Sequence, residues 1–209
     1  MNNERFLTTK TIAKMAVLSA VAFVLMLIEF NLPFIPSFYK LDFSELPVLI
    51  GGFALGPLAA VVIEGIKIIL NVLFTGTATA YVGEIANFVV GCAFCVPAAV
   101  YYQSHKTKEG ALKGMIIGTI SLVVVGMLMN YFVMLPAYSY FFHMDMDVII
   151  GMGSALIPFI TNRFTFVLFA TSPFNLVKGI VVSLLTQVLY KRISPILKRS
   201  LDHKRYFYF

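Results

Sequence analysis

Tryptophan is absent from these 209 residues, cysteine occurs twice, histidine three times, and charged residues make up only 12%. Cys92 and Cys95 form a lone CxxC inside an apolar run. With no second pair and no neighbouring His, they read as small packing residues and not as a zinc or redox site. His105, His143 and His203 lie apart on loops or the tail, so no Ser, Cys or His constellation offers a nucleophile. A paired-Asp metal signature is missing, and so is a GxxxxGK[ST] phosphate loop; any ATP-driven step must come from a partner. The scarcity of charge excludes most. At 59% hydrophobic residues and a mean hydropathy of +0.88, the chain cannot hide its apolar surface in a soluble core. It reads as an all-α integral membrane protein. Its net charge of +6 does not point to nucleic acid, because the basic residues sit at segment ends, where a bilayer surface is the better partner.

What is present begins with residues 31–57, NLPFIPSFYKLDFSELPVLIGGFALGP. Pro33, Pro36 and Pro47 forbid one continuous helix, while Phe34, Phe38, Tyr39 and Phe43 set flat rings beside Lys40, Asp42 and Glu45. Such a loop folds over something. Composition alone leaves open whether that is a ligand or the protein's own bundle and the lipid headgroups. Asp42 or Ser44 is a candidate cap for the helix that follows.

Residues 1–14 are polar and basic through Arg5, Lys10 and Lys14, and lead into the apolar run 15–30. FNLPFIP follows that run in place of a small-x-small cleavage site, so a retained first helix is expected. Ala13, Ala16 and Ala20 put small side chains on one of its faces, allowing close approach inside the bundle or against another protein. Residues 46–74 are too long for one span of ~20 and too short for two full ones. Breaking them at Gly56-Pro57 makes six spans with both termini cytoplasmic. Arg5, Lys10, Lys14, Lys106, Lys108, Lys113, Lys191, Arg192, Lys198, Arg199, Lys204 and Arg205 then share the cytoplasmic side, twelve of the 16 Lys and Arg. The expected helices are 11–30, 46–56, 57–74, 83–102, 114–135 and 173–190, in one transmembrane domain over 1–209. A structured outer loop joins the first two. The long outer segment 136–172 carries an apolar run, 148–170, that Pro158, Asn162 and Arg163 interrupt; it is read as a helix in the outer interface or folded over the bundle.

Glu64, Lys67, Asn71, Glu84, Asn87, Asn130, Tyr131, Asn175 and Lys178 all fall within or at the ends of these spans. Burying ionisable groups in lipid costs at least ~2.5 kcal/mol each, so they should face an interior and find partners there. Residue by residue, gluing helices together is as good an account, for instance through a Glu64–Lys67 pair. For the whole set, spread over four helices beneath an aromatic loop, a ligand pocket is the better one. A channel would need polar residues along a through path, and the inner halves have almost none. A binding protein open to the outside is the expectation.

The runs FYKLDFSELPVLIGGFALGPLAAVVIEGIKIILN, VGEIANFVVG and SPFNLVKGIVVSLLTQVLYKRI resemble the riboflavin-specific S components of energy-coupling-factor (ECF) vitamin importers. The likeness covers nearly the whole chain in order, and KLDFSELP with PFNLVKG is its specific part. It implies a multi-pass cell-membrane protein that captures riboflavin outside as transported substrate, without a cofactor or metal. It also implies partners: a transmembrane coupling subunit, met through Ala16 and Ala20 with Ala13 flanking, and two ATPase subunits. In that family the S component is thought to topple in the membrane to release its load.

Riboflavin is uncharged, with a flat tricyclic ring, a pyrimidine edge of donors and acceptors, and a hydroxylated ribityl chain. Asn87, Asn130 and Asn175 could read the pyrimidine edge or the hydroxyls. Lys178 and Glu84 suit the ribityl chain; Phe38, Tyr39, Leu41, Tyr131 and Met134 suit the ring; Thr77 and Thr79 suit the rim. Lys40, Asp42 and Asn71 complete the candidate set. Two rival classes are an S component for another vitamin, whose cationic or smaller ring would favour acidic or tryptophan contacts, and a proton-coupled carrier using Glu64 and Lys67 as a relay.

Overall fold

In the computed structural model, which describes residues 8–36, 38–77 and 79–199, the side chains of 191–199 excepted, the chain is a helical bundle. The first helix, α1 (Thr9–Met26), starts where the Thr8 side chain accepts the Thr11 N–H. It buries Met15, Ser19, Ala22 and Met26 and leaves Ala13, Ala16 and Ala20 on its exposed face. A two-residue antiparallel ribbon, Phe30–Asn31 with Lys40–Leu41, closes the loop that follows.

Helix α2 (Glu45–Leu55) ends at Gly56, and α3 (Pro57–Thr75) begins on the next residue. Gly56 has φ of 109°, a conformation that side chains with a Cβ avoid, and Pro57 supplies the preset φ of a helix start. The expected break at Gly56-Pro57 is therefore real. Helices α4 (Val82–Ser104) and α5 (Lys108–Met129) pack along their lengths. Five segments are long and apolar enough to cross a membrane, and α2, at 11 residues, is a shorter apolar helix.

The helices run on where prolines suggested that they stop. A π turn (Asn130–Met134) joins α5 to α6 (Leu135–Phe141), and a second (Val167–Thr171) joins α8 (Arg163–Phe166) to α9 (Ser172–Arg199). In each the closing bond reaches one residue further back, Leu135 N–H to the Asn130 carbonyl and Ser172 N–H to that of Val167. Pro136 and Pro173 come directly after, where the widened turn removes the usual clash with the carbonyl four residues earlier. The expected ends at 135 and 173 thus shift to Phe141 and Arg163. The intervening α7 (Met146–Ser154) and the coil to Ile160 fold against this end of the bundle, so the run 148–170 is two short helical pieces instead of one helix.

Two apolar clusters result. The larger joins Met15, Leu49, Phe53, Phe94, Ala98 and Met115 in the bundle's middle and at the end opposite the loops. The smaller joins Tyr39, Leu41, Leu135, Ile160, Phe166 and Phe174 at the loop end. The candidate site lies between them.

Candidate functional site: a polar cavity under an aromatic cap

Five helical elements and the 38–45 loop converge on a cavity of about 220 Å³ at the loop end. The cap comes from the loop. Phe38 lies parallel to Phe166 at 6.1 Å and edge-on to Tyr138 at 5.9 Å, and Tyr39 packs on Phe174 at 5.1 Å. The Tyr39 hydroxyl donates to Asn130 Oδ1 at 2.8 Å and shares a 2.5 Å bond with the Thr171 hydroxyl. One side chain thus ties the loop to the first residue of one π turn and the last of the other.

Below the cap lies a buried network of charge. Lys178 Nζ stands 3.0 Å from Asp42 Oδ2 and 3.0 Å from Glu45 Oε2. Lys67 Nζ reaches Glu64 Oε1 at 2.6 Å, Glu45 Oε1 at 3.4 Å, the Ser44 hydroxyl at 3.1 Å and Asn87 Oδ1 at 3.5 Å. Three carboxylates and two ammonium groups are held where solvent does not reach. Removing two charges from water costs several kcal/mol each, so such a network does little for net stability and much to fix positions. Burial alone would push the Asp42 carboxyl up; Lys178 and Lys67, with the bonds from Ser44, outweigh it and hold the group below its ordinary value.

The expected cap on α2 is corrected by this network. Ser44 occupies the N-cap position, yet its side chain makes no cap bond, and Asp42 accepts the Ser44 N–H from outside the helix. Both side chains are taken by the two lysines, because a buried ammonium attracts them more strongly than an amide does.

Asn175 differs from its neighbours. It lines the cavity, is 5% exposed, and has no side-chain hydrogen bond among the described residues. Its amide presses so closely on Gly126 that a Cβ there would collide with it. The position opposite must be glycine.

Of the sequence-derived candidates, Phe38, Tyr39, Lys40, Asp42, Asn87, Asn130, Met134, Asn175 and Lys178 line the cavity. Six others stand outside its lining. Leu41 packs in the smaller cluster, and Tyr131 carries the Arg163 guanidinium over its ring at 5.6 Å. Asn71 takes a 2.5 Å bond from Thr75. Thr77 accepts the Thr79 and Tyr81 N–H groups, while Thr79 donates to Glu84 at 2.8 Å, which occupies both in the turn before α4. Lys40 lines the mouth and pairs with Glu29 at 2.5 Å. Sequence reasoning left out Met26, Glu29, Glu45, Tyr138 and Phe174, which also line it. Glu45 was noticed only as a loop charge; that it bridges both lysines has no signal in spacing, since its partners are 22 and 133 positions away. The basic residues Arg5, Lys204 and Arg205, and His203, lie outside the described residues, as do the side chains of Lys191, Arg192, Lys198 and Arg199.

Known proteins share this arrangement over nearly the full chain. The chain is 36% identical over 202 residues to the riboflavin transporter RibU of Staphylococcus aureus (strain TCH60), covering 95% of this chain and 100% of that one. It is 31% identical over 187 residues to the riboflavin transporter FmnP of Bacillus subtilis (strain 168), covering 89% and 93%. Among solved structures, the S component of a bacterial ECF transporter superposes with a TM-score of 0.69 at 33% identity, covering 95% of this chain and 99% of that one. The family model for the ECF transporter substrate-specific component matches residues 10–190, and the protein belongs to that family.

Proposed function

We propose that this chain is the riboflavin-binding subunit of an ECF-type importer in the cell membrane, capturing the vitamin from outside in the capped cavity. Asn175 carries the reading: an unpartnered amide in an otherwise satisfied, buried polar cavity is a group waiting for a ligand edge. Its closeness to riboflavin transporters at 36% and 31% identity supports that vitamin over others. The cavity, at about 220 Å³, is smaller than the ~300 Å³ at which small-molecule pockets begin. The flavin therefore enters by displacing Phe38 and Tyr39, and its ring takes over their contacts with Tyr138, Phe166 and Phe174. Asn130 and Thr171, released by the Tyr39 hydroxyl, then bond the ligand, while Asn87 and Lys178 exchange part of their network for ribityl hydroxyls. A neutral ligand suits this floor, whose charges already answer one another.

In this reading α2 and the five longer helices make six crossings, both termini are cytoplasmic, and the 136–172 segment covers the outer face. The Ala13, Ala16 and Ala20 face of α1, exposed in the isolated chain, meets the transmembrane coupling subunit, and two ATPase subunits supply the energy. Titration of the purified chain with riboflavin tests the proposal. Flavin fluorescence should be quenched at a 1:1 ratio without nucleotide. Saturable binding of thiamin with no response to riboflavin would reject it.

A further inference from the structure

A second cavity, of about 390 Å³, opens at the opposite end of the bundle, and the function proposed above makes no use of it. Lys106, Thr107 and Lys108 form its mouth where α5 begins, and Tyr102, Thr186 and Gln187 are among the residues of its wall. The Thr186 hydroxyl is fully buried and has no hydrogen-bond partner. Neither Lys106 nor Lys108 has a carboxylate partner among the described residues, whereas Lys113 on the same helix is paired with Glu109 at 2.7 Å. Thr107 caps α5 by accepting the Gly110 N–H, so the positive end of a 22-residue helix dipole faces the same mouth.

This cavity continues through Met115 and Gln187 into a furrow of about 280 Å³ between α5 and α9. Leu112, Ile116 and Ile120 line one bank, and Leu176, Ile180 and Leu184 line the other, each set at four-residue steps along its helix. Eight residues of helix make a furrow about 12 Å long. The unpartnered Ser183 hydroxyl lies in its wall near the cationic mouth. A cationic, hydroxyl-bearing mouth leading into a purely apolar furrow is the negative of an amphiphile with an acidic head.

We propose that this continuous site holds one anionic phospholipid, its headgroup phosphate at Lys106, Lys108 and the α5 N-terminus, with Thr186 bonding a head or glycerol oxygen, and one acyl chain laid along the furrow. A free phosphate would leave the furrow unfilled, and a neutral phospholipid would leave the two lysines unanswered.

The test uses the full chain stripped of lipid in detergent, with retention of added lipid read by native mass spectrometry. Phosphatidylglycerol should be retained one per chain, with roughly tenfold preference over phosphatidylcholine, as two lysines at an anionic surface supply. The Lys106→Ala/Lys108→Ala double variant should lose that preference. Ile180→Trp, which fills the furrow, should lower phosphatidylglycerol retention about fivefold by steric exclusion. Riboflavin titration of each variant should stay within about twofold of the parent, which certifies the fold and separates this site from the loop-end cavity. Should Ile180→Trp fail to fold, Thr186→Val, which is nearly isosteric, should lower retention at least about twofold by removing the hydroxyl. Equal retention of phosphatidylcholine, unchanged retention by the lysine variant, or displacement of phosphatidylglycerol by millimolar inorganic phosphate would each overturn the proposal.

Discussion

The two ends of this bundle handle charge in opposite ways. At the loop end, Asp42, Glu45, Glu64, Lys67 and Lys178 are buried and answer one another across four separate stretches of chain. At the other end, Lys106, Lys108 and Lys113 stay exposed, while the buried wall is built from Phe53, Tyr102 and Tyr190, with Phe53 packed on Tyr102 at 4.6 Å and on Tyr190 at 5.5 Å. The difference teaches that polar residues within the spans are not spread as helix glue. They are gathered where helices from both halves of the chain meet, and that convergence makes a pocket.

The sharpest way to break the contrast is Lys178→Ala. It strands Asp42 and Glu45 together in a buried place, and losing one member of a buried pair costs about 3–5 kcal/mol. A large fall in thermal unfolding temperature and loss of flavin quenching are expected; a stable protein with intact affinity would show that the network is dispensable. Tyr39→Phe is milder, since the ring stays and only the bonds to Asn130 and Thr171 go. It should cost about 1 kcal/mol of stability in denaturant unfolding. Asn175→Ala discriminates most finely. With no partner to lose, stability should be unchanged, while riboflavin affinity measured by calorimetry should fall by about 1 kcal/mol. Equal affinity would remove Asn175 from the site. Smallest of all, Ala16→Leu on the exposed face of α1 should leave unfolding within about 0.5 kcal/mol and flavin binding unaltered, yet reduce co-purification with the coupling subunit. Normal assembly would place that interface elsewhere.

Much of this was legible in the chain itself. The Gly56-Pro57 break follows from two residues whose backbone preferences admit little else, and the grouping of Asn130, Asn175 and Lys178 follows from the cost of leaving them in lipid. What stayed hidden depends on distance and on counting. Glu45 reads as one loop charge among several until folding brings it between lysines on α3 and α9. Asn71, Glu84, Thr77 and Thr79 read as ligand contacts because their types are right, whereas local bonds within or beside their own turns already occupy most of them. The prolines at 136 and 173 read as helix ends because a π turn has no sequence signature of its own.

Those wide turns carry a consequence for how the family can vary. Each inserts one surplus residue into an otherwise regular coil, and everything downstream is phased by it. Excising a single residue from Val167–Thr171 would swing α9 through about 100°, carrying Asn175 and Lys178 off the inner face together. Substitutions can drift in this segment, but its length is locked, and a one-residue gap in a relative would mark a protein whose inner surface serves a different molecule.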